Sequence, residues 1–125
     1  GYGNYQVSQV RYVLDTAVTG FQAARDESIR LRGIKCPVVV HSGFWGCGAF
    51  GGNRVMMALL QMIAAEMAGL ERLVMHTFDS DGTKVLVEAT RVIKTELDGE
   101  SLVQTDQLID RIVALGFEWG IGDGT

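Results

Sequence analysis

His41-Ser42-Gly43-Phe44-Trp45-Gly46-Cys47-Gly48-Ala49-Phe50-Gly51-Gly52-Asn53 is the stretch on which the fold turns. The residues leading into it, Cys36-Pro37-Val38-Val39-Val40-His41, are short, β-branched and apolar. They predict a central strand buried on both faces, as in a parallel sheet. Pro37 is tolerated because it sits near the strand's first residue. The residues leading out, Arg54 to Ala68, include Met56, Met57, Leu59, Leu60, Met62, Ile63 and Met67 and leave almost no polar face except Gln61 and Glu66. That pattern predicts a heavily buried helix. Gly69 ends it, and Arg72-Leu73-Val74-Met75-His76-Thr77-Phe78 reads as a second strand. Strand, glycine loop, buried helix and strand make a βαβ unit, which calls for a right-handed crossover and a parallel sheet.

Upstream, Val7, Val10, Val13, Leu14, Ala17, Val18 and Phe21 recur at spacings of three and four, which predicts a helix within Gln6–Arg32. Gly20 is expected to interrupt or end a turn of it, and Gly33 to stop it. Downstream, Asp79-Ser80-Asp81-Gly82 has the composition of a turn. A helix is predicted from about Thr83 to Leu97, with Val85, Leu86, Ala89, Val92 and Ile93 inward and Asp98-Gly99 closing it. A last helix is predicted near Ser101 to Leu115, on Leu108, Ile109, Ile112 and Val113. The tail Phe117-Glu118-Trp119-Gly120-Ile121-Gly122 alternates like a short capping strand. The fold class is α/β.

With 125 residues the chain has the length of one domain, and 11 Lys+Arg against 15 Asp+Glu give a net charge of −4. The acidic balance argues against direct nucleic-acid binding, which needs clustered cations. No apolar run is long enough to span a bilayer. Two cysteines, Cys36 and Cys47, show no CxxC spacing, so neither a disulfide framework nor a closed zinc site is expected. An intracellular location, cytoplasmic or nuclear, follows as the default. Glycine outnumbers proline 16 to 1, which implies backbone that bends tightly or approaches something closely.

The loop's position gives that excess a chemical reading. At the carboxyl end of a parallel strand, loop N–H groups and the next helix's N-terminus attract anions, and glycine lets them close on phosphate oxygens. Phe44, Trp45 and Phe50 add flat apolar faces, suited to a ligand with rings beside its phosphates; the plainer reading is a tight turn packed by aromatics. A Walker A loop requires Gly-Lys-Ser/Thr, whereas this one ends Gly52-Asn53-Arg54. The dinucleotide fingerprint G-x-G-x-x-G is formally present at Gly46–Gly51, but the acid it requires, read as Asp79, stands too far along the chain. That leaves an NAD(P)-binding oxidoreductase fragment as a remote alternative.

The loop, with Ala58-Leu59-Leu60-Gln61-Met62 and Met75-His76-Thr77-Phe78 behind it, resembles the carboxyl-terminal half of poly(ADP-ribose) glycohydrolases, which read T-G-N-W-G-C-G-A-F-G-G-D, L-K-A-L-I-Q and F-T-F-G-D in the same order. Ala17-Val18-Thr19-Gly20-Phe21 is similar to the segment preceding that motif, so the resemblance runs from about Asp15 to Asp79. It implies a macrodomain-like, three-layer α/β/α fold with a mostly parallel sheet, residues 1–125 forming its C-terminal segment. It also implies binding of ADP-ribose or poly(ADP-ribose), with hydrolysis of ribose–ribose O-glycosidic bonds and no cofactor or metal. Gly46, Cys47, Gly48, Ala49, Phe50, Gly51 and Gly52 would form the diphosphate loop, Phe50 would pack against the ribose, and Phe44 and Phe78 would line the ribose and adenine side.

The departures matter as much. Phe44 stands where the family has Asn, Asn53 where it has Asp, and Asp79-Ser80 where it has Gly-Asp. The family's catalytic signature, a glycine triplet followed by Gln-Glu-Glu, is absent, and no Glu-Glu pair exists in the chain. Glycoside cleavage needs an acid to protonate the leaving oxygen, and Asp26-Glu27 lies on a predicted helix without a glycine run. The catalytic residues are therefore unassigned. With a first residue of Gly rather than Met, the expectation is that an N-terminal segment or a partner chain completes the domain. A non-catalytic ADP-ribose-binding module is the alternative.

Other polar residues take bland readings. His41 and His76 fall near the strand ends but have no evident third metal ligand, so they read as hydrogen-bonded structural histidines. Cys47 sits where a helix start lowers a thiol pKa, but with no His to orient it, packing within the loop is the reading taken. Asp98, Glu100, Asp106 and Asp110 read as a solvated acidic face.

Overall fold

The computed structural model describes residues 2–97 and 104–120. Its elements run β1 (Gly3–Asn4), α1 (Val7–Arg32), β2 (Val39–Ser42), α2 (Arg54–Ala68), β3 (Arg72–Met75), α3 (Ser80–Thr95), α4 (Thr105–Ala114) and β4 (Glu118–Trp119). The predicted order holds from α1 to β4, and β1 ahead of it is a strand that the sequence pattern did not announce.

Helix α1 is held by the stripe Val10, Leu14, Ala17 and Phe21, all buried. It runs through Gly20 without a break, contrary to the sequence expectation. A helical glycine costs only about 1 kcal/mol against alanine, and burial of the stripe outweighs it. Helix α2 is the centre of the core: Met56 through Leu60 and Ile63 through Ala65 are buried, and it packs against both α1 and α3. Asn53 caps its start by accepting the Met56 N–H at 3.0 Å. Gly69, at φ 72°, ends it in the left-handed conformation.

Strands β2 and β3 are parallel, with Val39 opposite Arg72 and Ser42 opposite Met75. Two sequence expectations are corrected here. The first strand starts at Val39, since Pro37 offers no N–H to a ladder and the Cys36 N–H turns back to Gly33 O at 3.0 Å. It is also covered on one face only. Val40, Leu73 and Met75 pack against the core, while Val39, His41 and Arg72 are exposed. Among the described residues the parallel sheet has two strands, and β1 with β4 makes a second, antiparallel pair.

Asp79-Ser80-Asp81-Gly82 is not a free turn. The Asp79 carboxylate accepts the Gly82 N–H at 2.7 Å, so Asp79 is the N-cap of α3 and the helix starts at Ser80. The same short polar residues serve turns and N-caps alike. The predicted closure at Asp98-Gly99 and the predicted start of the last helix at Ser101 lie outside the described residues. Within them, α4 buries Leu108, Ile109 and Ile112 and packs against α1. Of the expected acidic face, Asp98 and Glu100 are likewise outside, Asp110 is exposed, and Asp106 pairs with Arg11 of α1. Of the tail, Glu118–Trp119 form a short capping strand, β4, which sets Trp119 against Gly3 of β1, while Ile121 and Gly122 lie outside the described residues. Among the described residues no helix is long and apolar enough to cross a membrane.

Candidate functional site

The glycine loop leaves the carboxyl end of β2 and closes on itself before α2. Gly52 N–H donates to Gly46 O at 2.8 Å, and Gly51 N–H to Gly48 O at 3.0 Å. Gly46 and Gly51 take φ of 67° and 68°, which a side chain resists. A Cβ at Gly52 would stand 2.7 Å from Gly46 O. The closure leaves the consecutive N–H groups of Gly48, Ala49 and Phe50 without an acceptor among the described residues. Such a run of free donors is what an anion-binding nest presents.

Beneath the loop, Gln61 carries the base. Sequence reading assigned it to a polar face of α2, but it is wholly buried. It accepts from Ser42 Oγ at 2.5 Å and donates through Nε2 to Gly43 O at 2.8 Å. Both groups belong to the junction of strand and loop, so the amide satisfies a backbone carbonyl that has left the sheet ladder.

A cleft of about 370 Å³ opens beside the loop, lined by Phe44, Cys47, Gly48, Arg54 and Phe78. Three of these, Phe44, Cys47 and Gly48, come from the predicted loop. Phe78 comes from beyond β3. Its φ of 66° is the only positive value at a non-glycine among the described residues, and the residue is 91% exposed. The kink is a three-residue turn closed by Asp79 N–H on Thr77 O at 2.8 Å, a strained conformation for a bulky residue. Gly82 makes room for it, since a Cβ there would lie 2.3 Å from Thr77 O. Phe50 stands outside the cleft, fully turned to solvent, and Trp45 leans on Phe21 of α1 with ring centres 5.8 Å apart.

Arg54 is the residue that sequence reasoning missed. Its guanidinium lies 5.4 Å from the centre of the Phe44 ring, and no carboxylate pairs with it among the described residues. The available signal was its sign: a cation in the first turn of a helix opposes the macrodipole, an unfavourable placement that asks for a compensating partner.

Other candidates resolve as follows. Burial pushes the Cys47 thiol up to about 11, against a weaker pull down from the Arg54 charge. The thiol rests 3.3 Å from Trp45 O, so it packs within the loop and is no thiolate nucleophile. His41 Nδ1 and His76 Nε2 meet at 2.9 Å with ring centres 5.2 Å apart. That centre distance leaves the rings nearly end to end, the geometry of an N–H···N hydrogen bond. Two imidazoles sharing a metal would instead turn both lone pairs toward a third point. Among the described residues no group of three His, Cys, Asp or Glu side chains is placed to hold a metal ion. Glu27 is bound by Arg30 at 2.5 and 3.0 Å, which lowers its carboxyl pKa, and it lies on exposed α1 surface. Asp79, the acid a dinucleotide site requires for its ribose, is spent as a helix cap. A larger cleft of about 430 Å³ lies at the amino ends of the strands, between Arg25, Lys35, Cys36 and Glu71, and holds no part of the glycine motif.

In comparison with known families, residues 2–85 match the family described as poly(ADP-ribose) glycohydrolase, macro domain fold. The match extends beyond the motif on both sides, taking in β1 and the first turns of α3. No curated protein and no solved structure matches the chain.

Proposed function

The chain belongs to the poly(ADP-ribose) glycohydrolase family, of macro domain fold, and from that premise we propose that residues 1–125 are the ADP-ribose-cradling segment of such a glycohydrolase. The observation that carries the reading is the run of N–H groups at Gly48, Ala49 and Phe50 that meet no acceptor among the described residues, with Gly48 lining the same cleft as the Arg54 cation. Backbone donors and one guanidinium suit a diphosphate, whose charge they offset without a metal. Gly46 to Gly52 then form the diphosphate loop. Phe44 and Phe78 give the adenosine rings an apolar lining, and the exposed Phe50 packs on the ribose whose bond is cut.

In this reading the segment fixes the ligand and orients the scissile bond. Hydrolysis of a ribose–ribose bond also requires a carboxylic acid to protonate the leaving oxygen and a carboxylate to support the developing cation. The sequence has no Glu-Glu pair, and none of the five cleft residues is acidic. The acid therefore comes from an N-terminal segment or a partner chain, which also supplies the further strands of a three-layer macrodomain. The acid-free cleft equally favours a second reading, a module that binds ADP-ribose and cuts nothing.

Calorimetric titration tests the proposal. ADP-ribose should bind with a defined stoichiometry, and adenosine, lacking the diphosphate, at least about tenfold more weakly. Absence of binding by ADP-ribose would overturn both readings. The chain alone should leave poly(ADP-ribose) intact, and turnover would contradict an acid supplied from elsewhere. Restoration of turnover by an added Gln-Glu-Glu segment separates the hydrolase from the module.

A further inference from the structure

The glycine loop is fastened from outside by residues far away in sequence. Asn53 N–H donates to the Tyr5 hydroxyl oxygen at 2.9 Å, Asn53 Nδ2 donates to Glu118 O at 3.0 Å, and Gly120 N–H donates to Gly51 O at 3.0 Å. Tyr5 N–H in turn donates to Phe117 O at 3.3 Å, alongside the β1–β4 pair. The residues at 117–120 lie beyond the 2–85 stretch that matches the family. A segment added to the family's motif thus grips the motif itself.

The chemistry of Asn53 explains why it departs from the family's Asp. As a helix cap, either residue would serve: Asn53 Oδ1 accepts the Met56 N–H at 3.0 Å, and a carboxylate oxygen would do the same. As a donor to Glu118 O, only the amide serves, because a carboxylate presents lone pairs to lone pairs. We propose that Asn53 is a positioning residue that latches the glycine loop to β4, so that the C-terminal strand holds the loop's free N–H groups in ligand-ready array. The proposal rests on the ADP-ribose reading for its consequence, but the latch itself is measurable without ligand.

Two variants in the full chain separate capping from latching. N53D keeps the cap and makes the latch repulsive; N53S keeps a capping hydroxyl and deletes the donor without adding charge. In both, amide hydrogen exchange at Gly120 should quicken at least about tenfold and the dissociation constant for ADP-ribose should rise about tenfold, with only a small change in melting temperature. A residue that merely caps α2 would leave Gly120 exchange and affinity at their wild-type values, and that result overturns the latch. Exchange that quickens as expected in a chain whose wild type fails to bind ADP-ribose would overturn the functional reading and leave the latch standing.

Discussion

Gln61 and Gly43 are joined through the core: the buried amide of one donates at 2.8 Å to the carbonyl that begins the other's glycine loop. The link ties the heavily buried helix α2 to the glycine loop. Replacing Gln61 with Met keeps the length and apolar body of the side chain but strands Gly43 O and the Ser42 hydroxyl. Ser42 and Gly43 are only half-buried, so the two unpaired groups together should cost roughly 1–3 kcal/mol, and Q61M should lower unfolding stability by about that amount in urea titration. Stability equal to wild type would remove Gln61 from the loop's support.

Arg54 gives a prediction with opposed parts. Its cation opposes the α2 dipole, at a cost of about 0.3–1 kcal/mol, and its stacking on Phe44 returns a similar amount. R54Q should therefore melt close to wild type. Affinity for ADP-ribose should fall about tenfold, and the salt dependence of binding should flatten with it. Unchanged affinity would mean that the guanidinium faces no anion.

Phe78 trades stability for position. A bulky residue held at φ 66° stores strain, and the exposed ring repays little of it by burial. Glycine has no Cβ to strain in such a turn, so F78G should raise unfolding stability by roughly 0.5–1 kcal/mol while weakening ADP-ribose binding. A variant that is less stable and binds as well would refute both halves.

Cys47 predicts a pH limb. Its thiol ionises near 11 in the folded chain against an ordinary value of 9.0. Between those values the unfolded chain sheds the proton and the folded chain keeps it, so stability falls as pH rises through 9 to 11 and is unaffected below. C47S should flatten that fall. At pH 8, Cys47 should also alkylate far more slowly in the folded chain than in the unfolded one, as followed by mass spectrometry.

The sequence made the βαβ unit legible because its signals reinforce one another: a β-branched run, a glycine loop, an apolar helix and a second run follow in order. It misled where one residue type serves two purposes. Gly20 reads as a stop, but in α1 the buried Val10, Leu14, Ala17 and Phe21 carry the helix past it. Asp79 and Gly82 read as a turn and proved to be a cap with its partner. Strands β1 and β4 are two residues each, and their pairing joins the ends of the described chain, beyond the reach of local pattern. In the site, the loop's glycines announced themselves. Arg54 did not, because its meaning lies in an unfavourable placement. Gln61 is not legible either, since a single polar residue on an apolar helix looks the same whether it faces water or a stranded carbonyl.

The two tryptophans, Trp45 and Trp119, divide the molecule optically. Trp45 sits in the glycine loop, 39% exposed and leaning on Phe21. Trp119 is packed on Gly3, and its buried indole N–H meets no acceptor among the described residues. An indole in an apolar, acceptor-starved setting emits to the blue of one that meets water, so the two emissions are separable in one unlabelled sample. Quenching by acrylamide or by an arriving ligand then reads the loop through Trp45, while Trp119 reads the terminal ribbon. The protein carries its own pair of reporters, one on each side of the contact between them.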